Sequence, residues 1–332
     1  MPSLTYYLGL GLSSLSCYAS VASSIGVILP LYTWPSDTTW DPVYDALAAY
    51  PDVDFYVIVN PNSGPGSSSP PASEYVTGVE TLNSYPNAHT LGYVRTNWAN
   101  RDINEVKADI EVYSQWAAFS GSTSSRTKRA AWMGYPHPHT YTHTHTGTPI
   151  SSVATSASTW TLTSSPTSTP GLTPISTVPR SNPGITLSGI FFDEAPQSSS
   201  SSELSYMQEA ATYVQSLSAA FSLDSTVPTV VFNPGTAPAP EYFEYATNVV
   251  DFESTYAAWL EQDDGSSSIN GVKANDNSRS AIIINSVPAS VDYASVIDAA
   301  VSQGVGMIYL TSDFDYKNTE SVAKVAAAIV GV

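Results

Sequence analysis

Eight short apolar or aromatic runs, each closed by polar residues, recur along the chain. They are Gly26–Thr33, Asp54–Asn60, Thr90–Asn97, Gly189–Glu194, Thr229–Asn233, Asn248–Glu253, Ala281–Ser286 and Gly306–Ser312. Near-continuous apolar runs of this length are the pattern of strands buried on both faces, as in a parallel sheet. Helical periodicity fills the gaps, at Asp41–Tyr50, Ser73–Tyr85, Ile103–Phe119, Glu203–Phe221, Tyr242–Ala246, Thr255–Glu261, Val291–Gln303 and Thr319–Val330. The first of these carries Val43, Leu47 and Tyr50 on one face, with Asp41 read as the N-cap and Pro42 at the first helical position. Eight strands alternating with eight helical segments predict an α/β fold, a (β/α)8 TIM barrel, over residues 23–332. An open doubly wound sheet is the competing arrangement. It would place a glycine-rich phosphate turn after the first strand, where this chain has Thr33-Trp34-Pro35-Ser36-Asp37.

The charge balance narrows the partners. Eleven Lys and Arg stand against 29 Asp and Glu, a formal net charge of −18. Nucleic acid and anionic membranes need basic surfaces, so neither is expected as a partner. Cys17 is the single cysteine, which rules out an intrachain disulfide and a cysteine-based zinc site. Residues 1–22 are apolar and rich in small residues, and Ser20-Val21-Ala22 offers a small-x-small cleavage site. They are read as a signal peptide despite the missing basic n-region, since no Lys or Arg precedes Arg95. The expected product is secreted, extracellular or in the cell wall, with no stable membrane span after signal removal. No N-x-[ST] sequon occurs.

Residues 121–182 break the pattern. Thirty-four of these 62 residues are Ser, Thr or Pro, four are basic and none is acidic. The segment falls between the third helix and the fourth strand, where a barrel needs only a short loop. Its composition is that of a disordered, low-complexity insertion. An O-glycosylated loop, a translated unspliced intron and a functional module remain alternative origins. His137, His139, His143 and His145 alternate within it in a pattern that a transition metal could use, but no carboxylate or scaffold accompanies them. Lys128-Arg129 is a dibasic pair, read as a solvated patch or a processing site.

The strongest chemical signal is Phe191-Phe192-Asp193-Glu194-Ala195-Pro196. Two carboxylates end a buried strand, and strand C-termini form the active-site face of such a barrel. Neighbouring strand residues point to opposite faces, so only one of the pair aims along the barrel axis. A loop-start or N-cap role is the alternative. Glu253 ends another strand, where alternation places Asp251 and Glu253 on one face and Phe252 on the other. Two acids from different strand ends, one a proton donor and one a nucleophile or base, are what glycoside hydrolysis requires. A helix N-terminal acid is the other account of Glu253. Tyr32, Asn60, Arg95, Asn97, Asn233, Asn285 and Asp313 also sit at strand ends, with Trp34 and Trp98 nearby. Amide and charged side chains bond sugar hydroxyls, and aromatic faces stack on sugar C–H surfaces. The chain lacks G-x-S-x-G, a P-loop, HExxH and a catalytic cysteine. His89 alone lies outside the insertion, at the start of strand three, the wrong end for a triad.

At GVILPLYTWP, GYVRTNW, GIFFDEAP, VVFNPG, VDFEST and IYLTSDFDY the chain resembles the spherulin 4-like, or spherulation-specific family 4, proteins. These are classed as glycoside hydrolase family 135, and many are fungal. The resemblance covers about 23–120 and 183–332. It implies a (β/α)8 enzyme that cuts α-1,4-linked N-acetylgalactosamine stretches in galactosaminogalactan, acting within the chain and with retention. It further implies Asp193 as nucleophile, Glu253 as general acid/base and Glu194 as the residue that orients substrate or tunes the pair. No metal or other cofactor is expected, the partner is an amino-sugar polysaccharide, and a monomer is expected. A non-catalytic glycan-binding wall or spore-coat protein is the alternative within the same family.

Overall fold

In the computed structural model, residues 25–36, 38–67, 71–119, 184–221, 227–261 and 277–332 are described. Residues 1–22, expected to be a signal peptide, Cys17, the 121–182 segment, its four histidines and the Lys128-Arg129 pair lie outside them.

All eight strands form, as β1 (Gly26–Leu31), β2 (Phe55–Val59), β3 (Ala88–Arg95), β4 (Gly189–Asp193), β5 (Thr229–Asn233), β6 (Asn248–Thr255), β7 (Ser280–Asn285) and β8 (Met307–Leu310). They pair in parallel in sequence order, and β1 pairs with β8 to close the barrel. The TIM-barrel reading is therefore correct. Both faces of the strands are covered: β1 and β7 are buried at every position. Phe192 packs on Phe232 with ring centroids 5.8 Å apart, and Phe232 on Tyr242 at 6.3 Å, in the layer between barrel and outer shell. Tyr93 meets Phe191 at 6.3 Å inside the barrel. Each large apolar side chain so buried contributes about 1.5–3 kcal/mol.

The outer shell departs from the expected eight helices. Seven α-helices lie among the described residues: α1 (Asp41–Ala49), α2 (Ser73–Asn83), α3 (Ile103–Gln115), α4 (Ser201–Ser216), α5 (Tyr256–Glu261), α6 (Tyr293–Ser302) and α7 (Ser321–Gly331). The segment after β5 is a 3₁₀ turn, Pro240–Glu244. With Pro238 and Pro240 bracketing its start, too little chain is left before β6 to wind an α-helix. Asp41 is not a cap but the first residue of α1. Trp40 takes the flanking position, its ring buried and its Nε1 donating to Thr33 O at 3.1 Å.

A second departure lies in β6. Its register against β7 shifts between Val250 and Phe252, so Asp251 is an extra residue in a bulge. The expected alternation of Asp251 with Glu253 fails for that reason. Phe252 packs on Trp259 of α5, and Glu253 turns toward the barrel mouth. Asp251 stays buried at 2% exposure, and neither carboxylate oxygen has a hydrogen-bond partner of proper geometry. The Ser280 hydroxyl lies close enough to hold its pKa back, but burial dominates and pushes it up to about 7. Among the described residues no helix is long and apolar enough to cross a membrane.

Candidate active site

Registered strand pairs bring the site together. Arg95, Asp193 and Asn233 stand side by side at the C-terminal ends of β3, β4 and β5. Tyr93, two residues back on β3, faces the same interior and donates its hydroxyl to Asp193 Oδ2 at 2.6 Å. Asn233 supplies the central link. Its Nδ2 donates to Asp193 Oδ1 at 2.8 Å and to Glu253 Oε2 at 2.6 Å. Its Oδ1 accepts from Gly235 N at 3.0 Å, which aims the amide nitrogen at the two acids. Gly235, at φ +71°, closes the turn that makes this possible, and its carbonyl accepts from Glu253 N at 3.0 Å.

Glu253 is held from its other side by Tyr316. Asn285 Nδ2 donates to the Tyr316 hydroxyl at 3.1 Å, and Ser286 Oγ donates to Asn285 Oδ1 at 3.0 Å. The Tyr316 proton is thereby left for Glu253. The Tyr32 ring meets Tyr93 and Tyr316 edge-on, at 5.6 and 6.1 Å, and lines the floor between the two acids. Burial, then the charges of Asp193 and Glu253, push the Tyr32 hydroxyl far above its ordinary range, so it stays protonated.

Both acids titrate above the usual carboxylate range. For Asp193 burial dominates, opposed by bonds from Tyr93, the Glu194 backbone and Asn233, while the Glu194 charge adds to the rise. For Glu253 burial again dominates, opposed by Asn233 and Tyr316, with the Asp193 charge adding. Like charges this close favour a pair that shares one proton. Asp193, with the fuller set of donors, is the better site for the negative charge.

Glu194 does not enter the floor. Its backbone is left-handed at φ 51°, and its carboxylate accepts from Arg95 Nε at 2.6 Å. Arg95 Nη2 reaches Asn97 Oδ1 at 3.2 Å, so Arg95, Asn97 and Glu194 form a polar rim beside the acids. The loop above them carries three consecutive left-handed residues, Asn97, Trp98 and Ala99, at φ 53°, 51° and 62°. Each costs about 1–3 kcal/mol and persists only where the surroundings enforce it. Thr96 and Trp98 enforce it here. Thr96 Oγ1 donates to the Asp193 and Glu194 carbonyls at 3.1 and 2.7 Å, and Trp98 N to the Glu194 carbonyl at 2.6 Å.

Asn60 and Asp313 serve their own loops instead. Asn60 Oδ1 accepts from Gly64 N at 3.2 Å, and Asp313 Oδ2 accepts from Lys317 N and Asn318 N at 2.8 and 2.9 Å. Tyr93, Tyr316 and Thr96 are contributors that sequence reasoning missed. Tyr316 had a signal in the polar, aromatic tail after β8, whereas Tyr93 reads as ordinary core. His89 lies at the opposite end of the barrel, with Nε2 3.1 Å from Asp54 Oδ1. No group of three or more potential metal ligands occurs among the described residues.

Three comparisons bear on this geometry. A family model described as Spherulation-specific family 4 matches residues 26–330. Spherulin-4 of Physarum polycephalum is 26% identical over 301 residues, 88% of this chain and 65% of that protein. The chain therefore spans just under two thirds of that relative's length. The crystal structure of Aspergillus clavatus Sph3 in complex with GalNAc superposes with a TM-score of 0.66 at 28% identity, covering 92% of this chain and 98% of that one.

Proposed function

From the premise that this chain belongs to the spherulation-specific family 4, we propose that it is a secreted glycoside hydrolase. It cuts within α-1,4-linked N-acetylgalactosamine stretches of a galactosaminogalactan-type polysaccharide. The observation that carries the reading is the Asn233 bridge: one amide nitrogen donates to a carboxylate from β4 and to another from β6. The two bonded oxygens can be no farther apart than those two hydrogen bonds laid end to end. That favours the roughly 5–5.5 Å separation of retaining enzymes over the roughly 6.5–9.5 Å of inverting ones. The GalNAc bound to the related Aspergillus protein supports the sugar class.

In the first step Glu253 gives its proton to the glycosidic oxygen as that bond breaks. The Asp193 carboxylate forms a bond to the anomeric carbon. In the second step Glu253 takes a proton from water, whose oxygen displaces Asp193 and restores both acids. Tyr93 and Asn233 hold Asp193 on line, and Tyr316 does so for Glu253. Glu194 acts through Arg95, steadying a cation at the rim.

The test is oligosaccharide release from purified galactosaminogalactan, read by mass spectrometry. Asp193→Asn and Glu253→Gln are each expected to lower turnover by at least about 10²–10⁴-fold while Asp193→Asn still binds glycan. The first product should keep the α configuration by NMR. A folded wild-type chain that binds the polymer without cutting it would assign the protein to a glycan-binding role instead.

A further inference from the structure

The loop after β3 invests in one exposed ring. Among the described residues, Trp98 is one of three large aromatic side chains left substantially in water, at 53% exposure. The other two, Trp34 and Phe314, also lie on loops at the C-terminal ends of strands, after β1 and β8. An exposed indole on a mobile loop would be unremarkable in itself. This one stands in a run of three left-handed residues that the surrounding bonds hold in place. Asn100 Nδ2 adds bonds to the Asn97 and Trp98 carbonyls at 2.9 and 3.3 Å, and Arg101 Nη1 one to the Arg95 carbonyl at 3.0 Å. Strain that is held this firmly, on a ring that is left half in solvent, is pre-organisation for something that the ring is to meet.

We infer that Trp98 is the floor of a separate sugar subsite beside the acid pair, taking one hexosamine unit on its ring face while Arg95 and Asn97 meet that unit's polar groups. An indole suits an amphipathic partner, with one apolar face and polar edges, and a pyranose ring has both. The half-exposed Arg95 lies in the same loop system and is held by Glu194 and Asn97. The subsite is also coupled to the chemistry. The Trp98 amide and the Thr96 hydroxyl are bonded to the backbone of Glu194 and Asp193, so a sugar seated on the ring bears on the strand end that carries the nucleophile. Trp34 and Phe314 extend exposed aromatic surface around the rim toward β1 and β8, in line with a polymer that outruns the catalytic floor.

The inference rests on the glycosidase reading of the same mouth, so its test must separate the two. The full chain carrying Asp193→Asn is titrated calorimetrically with short and long α-1,4-linked N-acetylgalactosamine oligomers. Trp98→Ala and Trp98→Phe are then added to that background, with circular dichroism confirming the fold. Trp98→Ala should weaken binding of the longer oligomers about tenfold, and Trp98→Phe about threefold or less. On the active chain, Trp98→Ala should raise KM more than it lowers kcat. Unchanged affinity and KM in Trp98→Ala, with the active chain still releasing product, would overturn the subsite and leave hydrolysis standing. Trp98-dependent binding without product release would overturn hydrolysis and leave the subsite. No oligomer binding by either chain would overturn both.

Discussion

At the scale of single residues, Asn233 carries more of the site than either acid shows on its own. Two carboxylates share one donor, and each is lowered by it against a burial that raises both. Removing the donor should therefore raise both titrations. For Asn233→Ala the acidic and basic limbs of the pH–rate profile are expected to move together to higher pH, with kcat down about 10–100-fold. Tyr93→Phe removes a donor from Asp193 alone and should move the acidic limb only. A profile in which Asn233→Ala lowers the rate without moving either limb would deny the shared-donor account. The three acids and Asn233 were legible in the sequence, because polar residues at the end of an apolar run have few structural reasons to be there. Tyr93 was not, since an aromatic residue inside a strand is what a core also requires. Asn60 and Asp313 looked equivalent to Asn233. Only the fold shows that Asn60 and Asp313 bond backbone N–H groups of their own loops, whereas Asn233 turns its amide nitrogen to the two acids.

At the scale of elements, the strands were readable and their irregularities were not. Apolar runs mark where a strand passes through the core. The bulge in β6 arises from how β6 sits against β7, a relation between distant segments that a single run cannot express. The same holds for the turn after β5, where Tyr242–Ala246 reads as a short helix but the flanking prolines set the outcome. Close approach between strands shows most directly at Gly189, which opens β4. A methyl group there would lie 1.9 Å from the Thr229 carbonyl oxygen, a backbone atom of the neighbouring strand. Gly189→Ala must push β4 and β5 apart at the strand that carries Asp193. The expected loss is about 3 kcal/mol or more in chemical denaturation. A loss below about 1 kcal/mol would mean that the two strands can part without cost.

At the scale of the whole molecule, pH should act on stability through acids that burial holds above their ordinary range. Asp193, Glu253 and Asp251 are all raised, the last to about 7. An acid with a raised folded-state pKa binds its proton more tightly when folded. Stability is therefore fullest at low pH, before these groups ionise in the unfolded chain. It falls as pH rises from the ordinary carboxylate value through the folded one. Considered with respect to these groups, the protein should be more stable near pH 5 than near pH 8, and Asp251→Asn should flatten that slope. Denaturation midpoints across this range would show it, and an unchanged slope in Asp251→Asn would assign the effect to the other acids. The barrel itself was legible at this scale because eight apolar runs separated by helix-length gaps leave few closed arrangements. The sequence set Asp251 on the same face as Glu253 by alternation, and the bulge in β6 separates them.

The closure of the barrel also has a consequence in time. β1 is hydrogen-bonded on one side to β2, its neighbour in sequence, and on the other to β8, which emerges from the ribosome only after the six strands between them. Until then the free edge of β1, a row of unpaired amides and carbonyls on an apolar strand, has no partner of its own. The nascent barrel therefore carries an open seam until its eighth strand arrives, and every copy must keep that seam from other copies until then.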